Sequence, residues 1–312
     1  MKIAYILLAH NHPRQLLRLV KALEGTGDFY IHIDKKSDIR EFQEVFSGMA
    51  FVHLLERRVN VTWAGFSMVK GYMLLLEAAL ASEEQYDRFV MLTGQDYPLM
   101  SNKEIIKTFE DNRDVEYIMA YNIATSPVPT DKDKVLKCWC LDNPFRSRFL
   151  QKVYKGIMYR VVTRPFSGRE LRVPLNGKMV DPYFGQMLSA FTRKGANLLM
   201  NTYLNDKKYN KRMKTAFAAV ELYWQTLFFN SELRKNTVQL GAEHEITEHF
   251  GWAPLHYHHY YVDTSVFTEE DFDELKNSGY MFCRKMVVGK SESLMDKIDE
   301  WRNEKENTDR IE

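Results

Sequence analysis

The sequence predicts an α/β fold, a mixed and mainly parallel sheet flanked by helices. Three observations carry that expectation. The chain opens with an apolar run, a helical pattern and a second apolar run, the unit of a parallel sheet. These runs are of strand length and continuous rather than alternating, as in strands covered on both faces. Polar clusters follow them at His10–Asn11, Asp34–Lys35–Lys36 and Gly94–Gln95–Asp96, at the carboxyl edge where such sheets bind ligands.

Composition narrows the function classes. The 312 residues suffice for one large domain, and 45% hydrophobic with 27% charged residues is ordinary for a globular protein. A net charge of +1 gives no global electrostatic case for nucleic acid. Three cysteines, two of them spaced as CWC at Cys138 and Cys140, suit a reducing compartment and neither a disulfide framework nor a zinc site. The start MKIAYILLAHNHP lacks a cleavage site, and no apolar stretch approaches the ~20 residues of a membrane span. The expected location is cytoplasmic.

In order, residues 2–9 read as a buried strand and 14–23 as a helix with Leu16, Leu17, Val20 and Leu23 on one side. Residues 29–34 are a second strand, 51–55 a third, and 68–81 a long helix entered through the WAGFS loop at 63–67. There is no GxGxxG after the first strand, so a dinucleotide site is not expected. Trp63 reads either as a stacking platform or as a core residue at a helix start. Residues 88–93 are a strand ending in Gly94-Gln95-Asp96, where Asp96 either meets a sugar hydroxyl or caps a turn before Pro98. Asn102 is expected to cap a helix over 103–110.

Further along, 116–120 read as a short strand and 125–134 as a loop. Residues 137–172 are basic and aromatic, a pattern that fits phosphates, a membrane surface or a solvated face. After a loop and strand near 182–191 comes a helix over 194–205. His256, His258 and His259 sit in an aromatic stretch without the spacing of a metal site. Residues 268–271 begin a helix with acids suited to its N-terminus, 280–288 form a strand carrying Arg284 and Lys285, and a charged helix covers 291–312.

The segment AFAAVELYWQTLFFN at 216–230 reads as one well-buried helix whose single charge is Glu221. A carboxylate among Phe217, Val220, Leu222 and Trp224 must find a partner or face a cleft. Desolvation there raises its pKa towards that of a general base; an exposed or salt-bridged Glu is the alternative.

Four segments in order carry a resemblance: 3–10 with IHIDKKS at 31–37, WAGFS at 63–67, LTGQDYPL at 92–99, and RKM at 284–286. Together they are similar to the core-2/I-branching β-1,6-N-acetylglucosaminyltransferases and the related peptide xylosyltransferases, family 14 of the glycosyltransferases. The resemblance implies a GT-A-like single domain, with 1–120 as a nucleotide-binding half, 121–290 as an acceptor and catalytic half, and 291–312 as a terminal charged helix. It implies a UDP-sugar donor, a glycan or lipid-linked glycan acceptor, inversion at the anomeric carbon and no metal or other cofactor. By position, Glu221 matches the catalytic base. Lys285 matches the diphosphate-binding Lys, with Arg284 beside it, and His10, Asp34 and Trp63 fall on the donor side. Asp96, Tyr97 and Trp224 fall at the sugar and acceptor end. The second diphosphate-binding Arg of the family has no counterpart in HHYYVDTSVF, which leaves a histidine, Arg284 or the basic 146–172 segment as replacements. The two DxD spellings, Asp131-Lys132-Asp133 and Asp271-Phe272-Asp273, do not follow an apolar strand, where a metal-carrying pair should sit. A short chain of this kind suits a bacterial enzyme acting on surface polysaccharide, with peripheral contact to the membrane compatible with its basic segment. Two rivals are a non-catalytic sugar- or nucleotide-binding protein on the same scaffold and a metal-dependent transferase.

Overall fold

The computed structural model describes residues 1–142, 145, 147–164, 168–238, 253–258 and 266–308, with the side chains of 148, 307 and 308 left aside. Its centre is a five-stranded sheet built from β1 (Ile3–Ala9), β2 (Gly27–Ile33), β3 (Val52–Leu54), β4 (Arg88–Thr93) and an antiparallel edge strand, Ala190–Thr192. The first four strands are parallel, in the order β4-β1-β2-β3, and the edge strand closes the β4 side. The sheet is thus mixed, mainly parallel and flanked by helices, as the sequence predicts. Crossovers run through α1 (Pro13–Ala22), α2 (Arg40–Val45) and α3 (Phe66–Leu80).

The alternation of β1 divides the core. Ile3, Tyr5, Leu7 and Ala9 pack on one face with α1 residues Leu16, Leu19 and Val20, and with Leu294 and Ile298 near the C-terminus. Ala4, Ile6 and Leu8 pack on the other face with α3 and the residues around Trp224. Burial on both faces explains why the strands read as unbroken apolar runs.

A second sheet lies beyond the carboxyl end of β4. There β5 (Asp96–Pro98) pairs antiparallel with Phe282–Arg284, which in turn pairs parallel with His256–Tyr257. The sequence expectation of a strand over 280–288 therefore shrinks to three residues, because Met286 turns away to donate its N–H to Gln95 at 2.9 Å. The predicted strand at 116–120 is not continuous either. Glu116 bridges to Thr237 and Tyr117 to Ala190, so its residues split between two partners.

Helix α4 (Asn102–Asp111) is capped by Ser101, not Asn102; the Ser101 hydroxyl accepts from Glu104 N–H, and Glu104 accepts from Ser101 N–H, forming a capping box. The predicted loop over 125–134 contains α5 (Pro129–Leu136). Its prolines suggested a loop, but Pro129 sits in the first turn, where a missing N–H costs no helical bond. Helix α6 (Arg148–Met158) passes into one π turn, Tyr159–Thr163. The chain then gives α7 (Arg193–Asn205), α8 (Lys207–Met213), α9 (Tyr223–Phe229), α10 (Phe272–Asn277) and α11 (Glu292–Thr308). No described helix is long and apolar enough to cross a membrane.

Candidate active site

The expected helix over 216–230 is broken. Ala218 adopts a left-handed backbone, φ 50° and ψ 51°, and a single 3-10 turn, Ala219–Glu221, follows before α9 begins at Tyr223. A non-glycine residue in that region carries strain of about 1 kcal/mol. The break is held on both sides: Ala219 N–H donates to Ala64 O at 3.3 Å, and Gly185 N–H donates to Glu221 O at 3.0 Å. Ala64 itself has φ 61°, so two left-handed alanines meet across this contact. Ala64 precedes Gly65, the N-cap of α3, at the carboxyl edge of the sheet. Gly185 is obligatory there, since a Cβ would lie 2.1 Å from the Met119 carbonyl oxygen.

Glu221 is consequently carried at the sheet edge by a break in the helix. Its neighbours Ala219, Val220, Leu222 and Tyr223 are buried, while Glu221 itself is half-buried. Among the described residues its carboxylate has no hydrogen-bond or ion-pair partner. Burial pushes the carboxyl up to about 7, and the nearby Lys134 charge only partly offsets this. Lys134, on α5, pairs with the buried Asp131, which also accepts from Ser126 Oγ at 2.6 Å. The Asp131-Lys132-Asp133 spelling is therefore tied into the protein: Asp131 by Ser126 and Lys134, and Asp133 by Lys137 at 2.6 Å. The other spelling is committed at Asp271, which accepts from Thr268 N–H at 2.7 Å.

The first two polar clusters gather at the same edge. Asp34, buried just past β2, accepts from Lys36 N–H at 3.0 Å and Val61 N–H at 3.3 Å, and pairs with Lys36 Nζ at 3.2 Å. His10 lies past β1 with much of its surface open to solvent; partial desolvation of the ring lowers its pKa, opposed by the charge of Asp34. Trp63 is 72% exposed, with Phe217 edge-on at 6.1 Å, so it is not a core residue at the helix start. Lys285 follows the Phe282–Arg284 strand and is half-buried; burial and then the Arg284 charge lower its pKa. Its ammonium has no recorded acidic partner among the described residues.

Three expected sugar-side residues are placed differently. Asp96 is 1% exposed and accepts from Thr93 N–H at 2.7 Å, Thr93 Oγ1 at 3.0 Å and Arg284 Nη1 at 2.9 Å, with His256 Nε2 at 3.5 Å. Burial works to raise this carboxyl, but Arg284, His256 and the Thr93 N–H outweigh it and hold it well below the usual range. Its oxygens are spent inside the protein, locking β5 to the Phe282–Arg284 strand. Tyr97 is buried on the opposite face, where its hydroxyl donates to Asp299 at 2.8 Å and accepts from Arg18 Nε at 3.1 Å. Trp224 is fully buried, with Tyr72 edge-on at 5.8 Å. None of the three faces a cleft, because the alternation of β5 and the all-round burial of α9 turn them inward.

The same geometry sorts the replacements for the missing Arg. Arg284 is committed to Asp96 and Thr93. Burial, then the His256 and Arg284 charges, push His258 down to about 3, so it is neutral at physiological pH. His259 and Arg146 lie outside the described residues. Among the described residues there is no group of three or more His, Cys, Asp or Glu able to hold a metal ion. The sequence pattern gave no sign of two participants, the Lys134–Asp131 pair beside Glu221 and the Asp142 carboxylate. Asp142 accepts from Ser67 N–H at 3.1 Å and Ser67 Oγ at 2.6 Å at the start of α3, the Gly65 position leaving room for it. Both lie in a stretch read as loop or solvated face.

The break at Ala218 makes a stability prediction. Ala218→Gly should leave stability within about 1 kcal/mol of wild type, the relief of strain offsetting the added chain entropy. Ala218→Val, β-branched at positive φ, should be at least about 1 kcal/mol less stable than the glycine variant, as read by urea unfolding. Equal stabilities would remove the left-handed backbone at 218.

Residues 3–168 match the family model described as Core-2/I-Branching enzyme. The chain is similar to xylosyltransferase 2 of Homo sapiens, 34% identical over 125 residues, and to xylosyltransferase 1 of Homo sapiens, 28% identical over 125 residues. The first match covers 38% of this chain and 14% of that relative's length. Among solved structures, 4-diphosphocytidyl-2C-methyl-D-erythritol synthase from Anaerococcus prevotii overlaps 89% of this chain and 95% of its own at 13% identity and a TM-score of 0.36, too distant to bear on function. With the family model spanning more than half of its residues, the chain belongs to the Core-2/I-Branching enzyme family.

Proposed function

We propose that the protein is an inverting glycosyltransferase that moves a sugar from a UDP-sugar to a hydroxyl of a glycan or lipid-linked glycan, with Glu221 as the general base. The observation that carries this is the Glu221 carboxyl, held without a partner at the sheet edge and raised by burial to about 7. A base with that pKa takes the acceptor proton near neutral pH, as the acceptor oxygen attacks the anomeric carbon from the face opposite the leaving UDP. One C–O bond forms as the other breaks, the proton goes to Glu221, and the charge of the departing diphosphate is met by Lys285. Family membership supports glycosyl transfer, and the names of the xylosyltransferase relatives favour xylose as the sugar, with N-acetylglucosamine or a related hexose as the alternative. His10, Asp34 and Trp63 stand on the donor side in this scheme. The transfer needs no metal in the scheme, since Lys285 supplies positive charge and the Asp131, Asp133 and Asp271 carboxylates are engaged elsewhere. The activity would lie in the cytoplasm, in the assembly of a surface polysaccharide.

Glu221→Gln should lower kcat by about 10²–10⁴-fold while leaving UDP affinity within a few-fold. In the wild type, kcat/KM should rise with pH through an apparent pKa near 7, because the base works deprotonated. Wild-type turnover in the glutamine variant would remove the base assignment, and a non-catalytic binding protein would show no turnover in either form.

Lys285→Ala should weaken UDP binding by about tenfold or more, as measured by calorimetry. Turnover should survive EDTA; its loss, with recovery on adding Mn²⁺, would overturn the metal-free scheme.

A further inference from the structure

We propose that α6 and the π turn after it are a docking surface for an anionic lipid bilayer. This surface lies outside the catalytic scheme, and its docking is independent of the transfer chemistry. Large apolar side chains are exposed here in succession along one segment. Phe149 is 71% exposed, Ile157 54% and Val161 62%, and Leu150 and Val153 are also exposed. Residues 149, 153 and 157 recur at helical spacing and form one stripe, with Leu150 beside them. Gly156 lies within the turns of that stripe, and a Cβ built on it would meet no atom within 4 Å, so this side of the helix is uncovered.

Charge selects the occupant. Lys152, Lys155, Arg160 and Arg164 are exposed on the same segment and have no recorded acidic partner among the described residues. No Asp or Glu occurs between Asp142 and Glu170, while seven Lys and Arg do. A helix with an apolar stripe, a cationic flank and no acid is built to lie in the interface of an anionic membrane, its apolar side chains among the acyl chains and its ammonium groups among phosphates. A protein partner covering so cationic a face would have to supply acids in register, whereas a bilayer supplies them everywhere. The segment also adjoins the candidate active site. Tyr159 contacts Trp139 (6.4 Å between ring centroids), Trp139 contacts Phe217 (4.9 Å) and Phe217 contacts Trp63 (6.1 Å), an aromatic row ending beside the Ala218 break. A bilayer seated on α6 would therefore lie next to the helix break that carries Glu221.

The test is sedimentation of the full chain with vesicles of phosphatidylcholine alone and of an equal mixture with phosphatidylglycerol. The wild type should co-sediment with the anionic vesicles and not with the neutral ones, and added salt should release it. The double variants Phe149→Ser with Ile157→Ser, and Lys152→Glu with Lys155→Glu, should each weaken that partitioning by about tenfold or more with unchanged circular dichroism. A wild type that stays in the supernatant with anionic vesicles would overturn the proposal. So would variants that sediment as well as the wild type. A loss of dimer in the Phe149→Ser, Ile157→Ser variant, without vesicle binding by the wild type, would assign the face to a second copy of the chain instead.

Discussion

The candidate site depends on one constraint: a half-buried carboxylate held without a partner among the described residues. Most buried acids are paired, and an unpaired one costs free energy whenever it is charged. Glu221 folds with its pKa raised from 4.5 to about 7, so the folded state binds more protons than the unfolded chain across that window. Stability therefore falls as pH rises from about 4.5 through 7, by on the order of 2 kcal/mol for a group partly open to solvent. Lys134 moderates this cost without removing it, because its ammonium is already engaged by Asp131. The left-handed turn at Ala218 and the bonds to Ala64 and Gly185 hold the carboxylate where it is. Local strain of this sort persists when the surroundings over-determine it, and here two separate segments of chain do so.

Asp96 shows the opposite solution, a buried carboxylate wrapped by Thr93, Arg284 and His256 that welds the small sheet to the end of β4. That weld sets the position of Lys285, the next residue after Arg284. The small sheet thus delivers a cation to the carboxyl edge of the large one, while the broken helix delivers Glu221 from the other side of the fold. A cation and a carboxylate are brought to one edge from segments more than sixty residues apart in the chain, the pair on which the proposed transfer rests.

The large sheet was legible because its strands are buried on both faces and write themselves as apolar runs. Its polar edge was legible because strand ends are where the apolar run stops. Glu221 stood out as the only charge in a long apolar segment, but its carrier did not. Nothing in AFAAVELYWQTLFFN breaks a helix locally, and the break comes from bonds to Ala64 and Gly185, distant in sequence. Asp96 and Tyr97 follow a strand and sit in a turn-like motif, yet short antiparallel pairing turns both inward, a tertiary fact with no local signal. Ser101 and Glu104 did carry a capping signal in the sequence, S-x-x-E, one residue before the Asn that was expected to cap. Pro129 illustrates the reverse error, a helix start mistaken for a loop.

The most direct measurement is the titration of the Glu221 carboxyl itself. It would be read from ¹³C chemical shifts of glutamate-labelled protein, with the Glu221→Gln variant identifying the resonance. A midpoint near 7 is predicted. A midpoint in the ordinary glutamate range, near 4.3, would show a solvated or paired carboxylate and contradict the account.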